Sequence, residues 1–121
     1  MLYGLTNEFD KMKIKSIGGE FALIDRIKKT IKLFSKDIVA GIGDDAAVLR
    51  HDGENYLLFT TDMLVENTHF SLRYSTPEQI GAKAIEQNVS DIAAMGGLPK
   101  YALISLALPT EIDVEFVDKL Y

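Results

Sequence analysis

The sequence predicts an α/β (α+β) domain in which a mixed or antiparallel sheet is covered by helices. Three observations carry that expectation. A helical stripe runs from Glu20 to Phe34 and a well-punctuated helix from Thr76 to about Met95. Two short strand-like runs flank Asp52-Gly53-Glu54-Asn55, and Tyr101 to Leu108 is nearly continuous apolar sequence. Strands joined by a hairpin favour antiparallel or mixed pairing, because parallel neighbours need a long crossover.

Residues 1–18 show no clear period and read as an irregular arm. After Gly18-Gly19, Phe21, Ile24, Ile27, Ile31 and Phe34 recur at three- and four-residue intervals, with Arg26, Lys28, Lys29 and Lys32 on the wet faces. Ile38-Val39-Ala40 leads into the turn Gly41-Ile42-Gly43-Asp44-Asp45. Ala46–Leu49 and Tyr56–Thr61 read as strands around the hairpin turn. Thr76 is suited to cap the second helix, Pro77 to its first position and Glu78 to its positive dipole end; Gly96-Gly97 and Pro99 stop it. Tyr101–Leu108 reads as a strand buried on both faces, closed by Pro109. A last helix starts near Asp113 and the chain stops inside its pattern without a cap, so the expectation is a fragment of a longer polypeptide.

Composition narrows the function. The 121 residues suit one domain, and 47% hydrophobic with 26% charged is ordinary globular usage. With no cysteine there is no disulfide framework, thiolate metal site or cysteine nucleophile. A net charge of −5 has the wrong sign for a generic nucleic-acid binder. No apolar run reaches the ~20 residues of a membrane span, and the N-terminus lacks a signal-peptide core. A cytoplasmic protein that binds neither nucleic acid nor membrane is expected. The basic residues cluster between Lys11 and Lys36, as on a solvated helix face, whereas Asp44, Asp45, Asp52, Glu54, Asp62 and Glu66 face Arg50 alone between Ile38 and Phe70.

Three places gather oxygen ligands. Gly41-Ile42-Gly43-Asp44-Asp45-Ala46-Ala47 sets two adjacent carboxylates after glycines; adjacent aspartates repel unless one turns to solvent or a cation lies between them. Thr60-Thr61-Asp62 ends a strand and offers two hydroxyls and a carboxylate. Asn88-Val89-Ser90-Asp91 places Asn88 and Asp91 on one helix face beside the apolar side of Val89, Ile92 and Met95. Each alone also reads as a surface turn or a polar strip. Together they supply at least four carboxylates with no evident cationic partner, and Mg²⁺ binding is the economical reading. His69 lies close enough in sequence to Asp62 to name as a substrate contact, although a lone histidine is commonly structural; His51 reads as surface. There is no His–Glu metal spacing, Gly-x-Ser-x-Gly elbow, dinucleotide fingerprint or Walker loop.

Glu20-Phe21-Ala22-Leu23-Ile24, the loop 41–47, Thr60-Thr61-Asp62-Met63-Leu64-Val65-Glu66-Asn67-Thr68-His69-Phe70 and Asn88-Val89-Ser90-Asp91-Ile92-Ala93-Ala94-Met95-Gly96 stand in an order and spacing that closely resembles the N-terminal half of the thiamine-monophosphate kinase family, within the aminoimidazole ribonucleotide synthetase superfamily. The resemblance runs from about Gly19 to Tyr121. It implies an ATP- and Mg-binding α/β domain over 19–121, truncated at its C-terminal end, and a homodimer whose sheets join into a barrel-like core. The implied activity is transfer of the ATP γ-phosphate onto thiamine monophosphate with several Mg²⁺ ions, giving thiamine diphosphate and ADP.

Carried over by motif, Asp45, Thr60, Thr61, Asp62 and Asp91 are metal ligands with Asp44 their neighbour, His69 contacts the thiamine phosphate, and Tyr121 lies near the nucleotide. No covalent nucleophile is needed for direct in-line transfer, and none is found. Relatives continue into a further glycine- and aspartate-containing motif and a second domain that this chain lacks, so its site is expected to be incomplete. Two other readings fit the same residues: a non-catalytic dimerisation half-domain, and another superfamily synthetase such as a hydrogenase-maturation relative. Selenophosphate synthesis is disfavoured by the missing cysteine.

Overall fold

A computed structural model describes residues 13–121 of the chain, and the chain divides between Lys36 and Asp37 into two units. Most of the arm expected over 1–18 lies outside the described residues. Its last part, Ile14–Ile17, forms one 3-10 turn, closed by Gly18 at φ +106° in the left-handed region that a side chain would disfavour. Helix α1, Glu20–Thr30, follows directly. It stops one turn short of the predicted stripe. Thr30 and Ile31 are adjacent β-branched residues of modest helix propensity, the Thr30 hydroxyl donates to the Arg26 carbonyl (2.9 Å), and Ile31 turns extended.

The second unit holds a three-stranded antiparallel sheet in the order β1-β2-β3, with β1 Ile38–Ala40, β2 Ala47–Asp52 and β3 Asn55–Phe59. The predicted hairpin forms where the turn residues stand. Val48 pairs with Leu58, Leu49 with Leu57 and Arg50 with Tyr56, and Asn55 Nδ2 donates to Asp52 Oδ1 across the turn. Strand β1 adds to the other edge of β2, Ile38 opposite Leu49 and Ala40 opposite Val48, with a shift of register between them. Because β3 ends at Phe59, Thr60, Thr61 and Asp62 lie just past the strand rather than within it.

Helix α2, Pro77–Ala94, matches its punctuation. The Thr76 hydroxyl accepts from the Gln79 amide (3.3 Å) while the Gln79 side chain accepts from the Thr76 amide (2.9 Å), a complete capping box. Helix α3, Val114–Leu120, packs on α2. At Gly81 of α2 a Cβ would stand 2.0 Å from the Leu120 carbonyl oxygen of α3. Among the described residues the buried apolar side chains are Ala46 (3% exposed), just before β2, and Ile80 (6%), in the first turn of α2.

One expected element is absent. Residues 101–108 form no strand, and every one of them is exposed. A strand buried on both faces needs neighbours for its backbone and cover for both sides. Among the described residues the paired strands are β1 to β3, and the segment pairs with none of them.

Candidate functional site

The end of β3 and one face of α2 are tied together by side chains. The Thr60 hydroxyl donates to Asp91 Oδ2 at 2.7 Å, across 31 residues of sequence, and both residues are half-buried. Two residues on, the Asp62 amide donates to Asn88 Oδ1 at 3.1 Å, while Asn88 Nδ2 donates to the Ala84 carbonyl at 2.9 Å. Asn88 thereby orients the backbone of Asp62 and leaves its carboxylate exposed, with no hydrogen bond to it among the described residues. The helical spacing of Asn88 and Asp91 puts both toward the strand end, so the second and third sequence motifs meet in space.

The acidic loop is separate in its bonding. Asp44 Oδ1 accepts the Asp45 amide at 3.0 Å, which turns the first carboxylate back onto the loop and leaves the second exposed. Thr61 is exposed beside Thr60. Among the described residues no cationic side chain pairs with Asp44, Asp45, Asp62 or Asp91, and no three His, Asp or Glu side chains cluster as a ready-made metal cage. The donor chemistry nevertheless fits Mg²⁺. This ion prefers hard oxygens, uses as few as one or two carboxylates, and completes its shell with water and substrate phosphate. The carboxylates of Asp62 and Asp91 and the hydroxyl of Thr60 supply such a set.

His69 sits in a tight turn. Its amide donates to the Val65 carbonyl (2.9 Å), and its Nδ1 accepts the Val65 amide (2.9 Å). The Asn67 amide donates to the Phe70 carbonyl (2.7 Å) with Asn67 in the left-handed region at φ +61°. Lys83 Nζ, from α2, donates to the His69 carbonyl. Tyr121 follows α3, its amide donating to the Val117 carbonyl (3.3 Å), and makes no hydrogen bond to the Thr60–Asp91 pair.

Sequence reasoning overlooked two residues of α2. Lys83 reads in sequence as one more solvated lysine, since its partner is a backbone carbonyl that no side-chain pattern marks. Gln87 buries Oε1 without a donor among the described residues.

Residues 43–121 match the family model of the AIR synthase related protein, N-terminal domain, a span that starts in the glycine–aspartate loop and takes in β2, β3, α2 and α3. The chain belongs to this family. This AIR synthase related domain is 51% identical over 110 residues to the thiamine-monophosphate kinase of Aquifex aeolicus, covering 91% of the chain and 33% of that relative. It is 59% identical over 76 residues to the enzyme of that name from Corynebacterium glutamicum (62% and 23% covered) and 46% identical over 103 residues to that from Bacillus subtilis (84% and 31% covered). A solved structure of AaThiL complexed with AMPPCP and TMP superposes with a TM-score of 0.76 at 51% identity, covering 91% of this chain and 33% of that one. The chain spans about a quarter to a third of the length of these relatives. The predicted fold class agrees with the antiparallel sheet and helices of the AIR synthase related domain.

Proposed function

We propose that the chain supplies the metal–phosphate half of a thiamine-monophosphate kinase, an enzyme that passes the terminal phosphoryl group of ATP to the phosphate of thiamine monophosphate. The observation that carries the reading is the tying of the Thr60–Asp62 segment to the Asn88–Asp91 face of α2 by the Thr60–Asp91 and Asp62–Asn88 hydrogen bonds. Similarity to the named kinases and to a structure complexed with AMPPCP, an ATP analogue, and TMP supports it.

In this reading Asp45, Thr60, Thr61, Asp62 and Asp91, with Asp44 beside them, hold Mg²⁺, which when bound neutralises the charge of the phosphate groups. Asn88 fixes the Asp62 backbone. Thr60 shares Asp91 Oδ2 and orients that carboxylate. His69 binds the phosphate of the acceptor, and Tyr121 lies at the nucleotide. A phosphate oxygen of thiamine monophosphate forms the new P–O bond as the bond between the β- and γ-phosphates breaks, and ADP leaves with that electron pair. No residue forms a covalent intermediate.

The functional unit is residues 19–121, preceded by an arm over 1–18, and it works as a homodimer; the unpaired, exposed apolar segment 101–108 supports the pairing of two copies. No helix among the described residues is long and apolar enough to cross a membrane, and the reading assigns the enzyme to the cytoplasm. Calorimetric titration with AMPPCP, with and without Mg²⁺ and thiamine monophosphate, tests the proposal. Magnesium-dependent binding of the nucleotide analogue, strengthened or matched by the acceptor, is expected. A folded chain that binds neither ligand would overturn the assignment of the site to these residues.

A further inference from the structure

Three side chains of α2 gather the segment that leaves β3, in reverse order. Asp91 takes the Thr60 hydroxyl, Asn88 the Asp62 amide, and Lys83 the His69 carbonyl. The first two ties belong to the oxygen cluster described above. The third lies outside it and concerns the histidine alone.

The turn that carries His69 is closed largely on itself. Val65 accepts the amides of Thr68 (3.2 Å) and His69 (2.9 Å), Asn67 donates to Phe70, and the Val65 amide donates to His69 Nδ1. A ring nitrogen that accepts a hydrogen bond carries no proton, so a neutral imidazole in this turn holds its proton on Nε2. Nδ1 is committed to the backbone, and Nε2–H is the donor left for a ligand, a match for a phosphate oxygen. Among the described residues, the hydrogen bond of residues 65–70 that reaches a regular element is the one from Lys83. An ammonium donating to a carbonyl is charge-assisted and stronger than a neutral pair.

We propose that Lys83 is a positioning residue, fastening the Val65–Phe70 turn to α2 and so fixing the place and tautomer in which His69 presents Nε2–H to the phosphate of the acceptor. The inference rests on the reading that His69 contacts thiamine monophosphate. Lysine suits the task because its long stem spans from the helix to a carbonyl of the turn, and the guanidinium of arginine is able to replace it as a donor.

The test uses the 121-residue chain, with ¹⁵N spectra of the His69 ring and titration with thiamine monophosphate. The parent chain shows the single Nε2–H tautomer. Lys83→Met gives an averaged or mixed tautomer signal and affinity for thiamine monophosphate weaker by about fivefold, the scale of one lost hydrogen bond. Lys83→Arg restores both readouts. An unchanged ring spectrum in Lys83→Met overturns the tether, as does a failure of arginine to restore it. His69→Ala separates the two layers of the argument. If that variant binds thiamine monophosphate as well as the parent, the substrate role of His69 is wrong, while the spectrum of Lys83→Met still decides whether Lys83 holds the turn.

Discussion

Asp62 and Asp91 are both carboxylates near the end of β3, yet the structure uses them differently. Asp62 engages α2 through its backbone amide, so its side chain contributes nothing visible to the fold. Asp62→Asn keeps that amide and removes only the charge. It is expected to abolish magnesium-dependent binding of AMPPCP while the circular dichroism spectrum and melting temperature stay at parent values; retained binding counts against the site. Asp91 accepts the Thr60 hydroxyl from a half-buried position. Asp91→Ala therefore loses nucleotide binding and also about 1–2 kcal/mol of stability, the scale of a hydrogen bond to a charged group. A urea denaturation that shows no loss would mean the Thr60–Asp91 bond is not formed in solution. The proximity of these two motifs was legible in the sequence only as a shared chemistry. Side-chain type identified the oxygen donors, but the pairing of Thr60 with Asp91 depends on how α2 lies beside the strand end. The same holds for Lys83, whose partner is a carbonyl 14 residues away and leaves no mark on the side-chain pattern.

Elements whose ends are written in local chemistry were legible almost to the residue. Thr76-Pro77-Glu78-Gln79 contains the whole capping box of α2, and Asp52-Gly53-Glu54-Asn55 contains the reversal between β2 and β3. Helix α1 was overextended because periodicity records where apolar residues stand and not whether anything packs on them. Two predictions belong at this scale. Gly81→Ala would place a methyl group against the Leu120 carbonyl, a backbone atom that cannot swing aside, so α3 must shift off α2. A loss of roughly 1–3 kcal/mol is expected by denaturation, as for other forced insertions into a packed contact; a neutral variant would show that α3 is not seated there.

The second concerns Glu78. Its carboxyl is held below the ordinary value of 4.5 by a hydrogen bond to its own backbone amide, then by Thr76, with Lys119 of α3 adding attraction. A depressed carboxyl stabilises the fold above the ordinary value, and that contribution disappears as pH falls below it through the folded-state value. Comparison of the parent chain with Glu78→Gln should show a difference at pH 7 that shrinks as pH falls below 4.5 through the folded-state value. A difference that persists in acid would exclude the charge of Glu78 as its source.

At the scale of the whole chain, the segment 101–108 is the main place where the sequence reading and the structure part. Tyr101 is 97% exposed, and Ile104, Leu106 and Leu108 lie open along the same stretch. In an extended backbone Ile104, Leu106 and Leu108 share one face and Tyr101 and Leu103 the other, so both faces are apolar, as in a strand with cover on each side. Its apolar character sets a demand for cover on both faces that the described residues of this chain do not meet. If a second copy meets the demand, as proposed, each copy buries its own Leu106 and a change there acts twice across a two-fold interface. Burying one leucine side chain is worth about 1.5–3 kcal/mol, and a lysine in its place adds the cost of a desolvated charge. Leu106→Lys is therefore expected to weaken self-association by at least about tenfold, which corresponds to ~1.4 kcal/mol. Sedimentation velocity over a concentration series is the measurement, with circular dichroism as the control for the fold. A parent chain that stays monomeric at every concentration, or a variant that associates as the parent does, would remove the second copy as the partner of this segment.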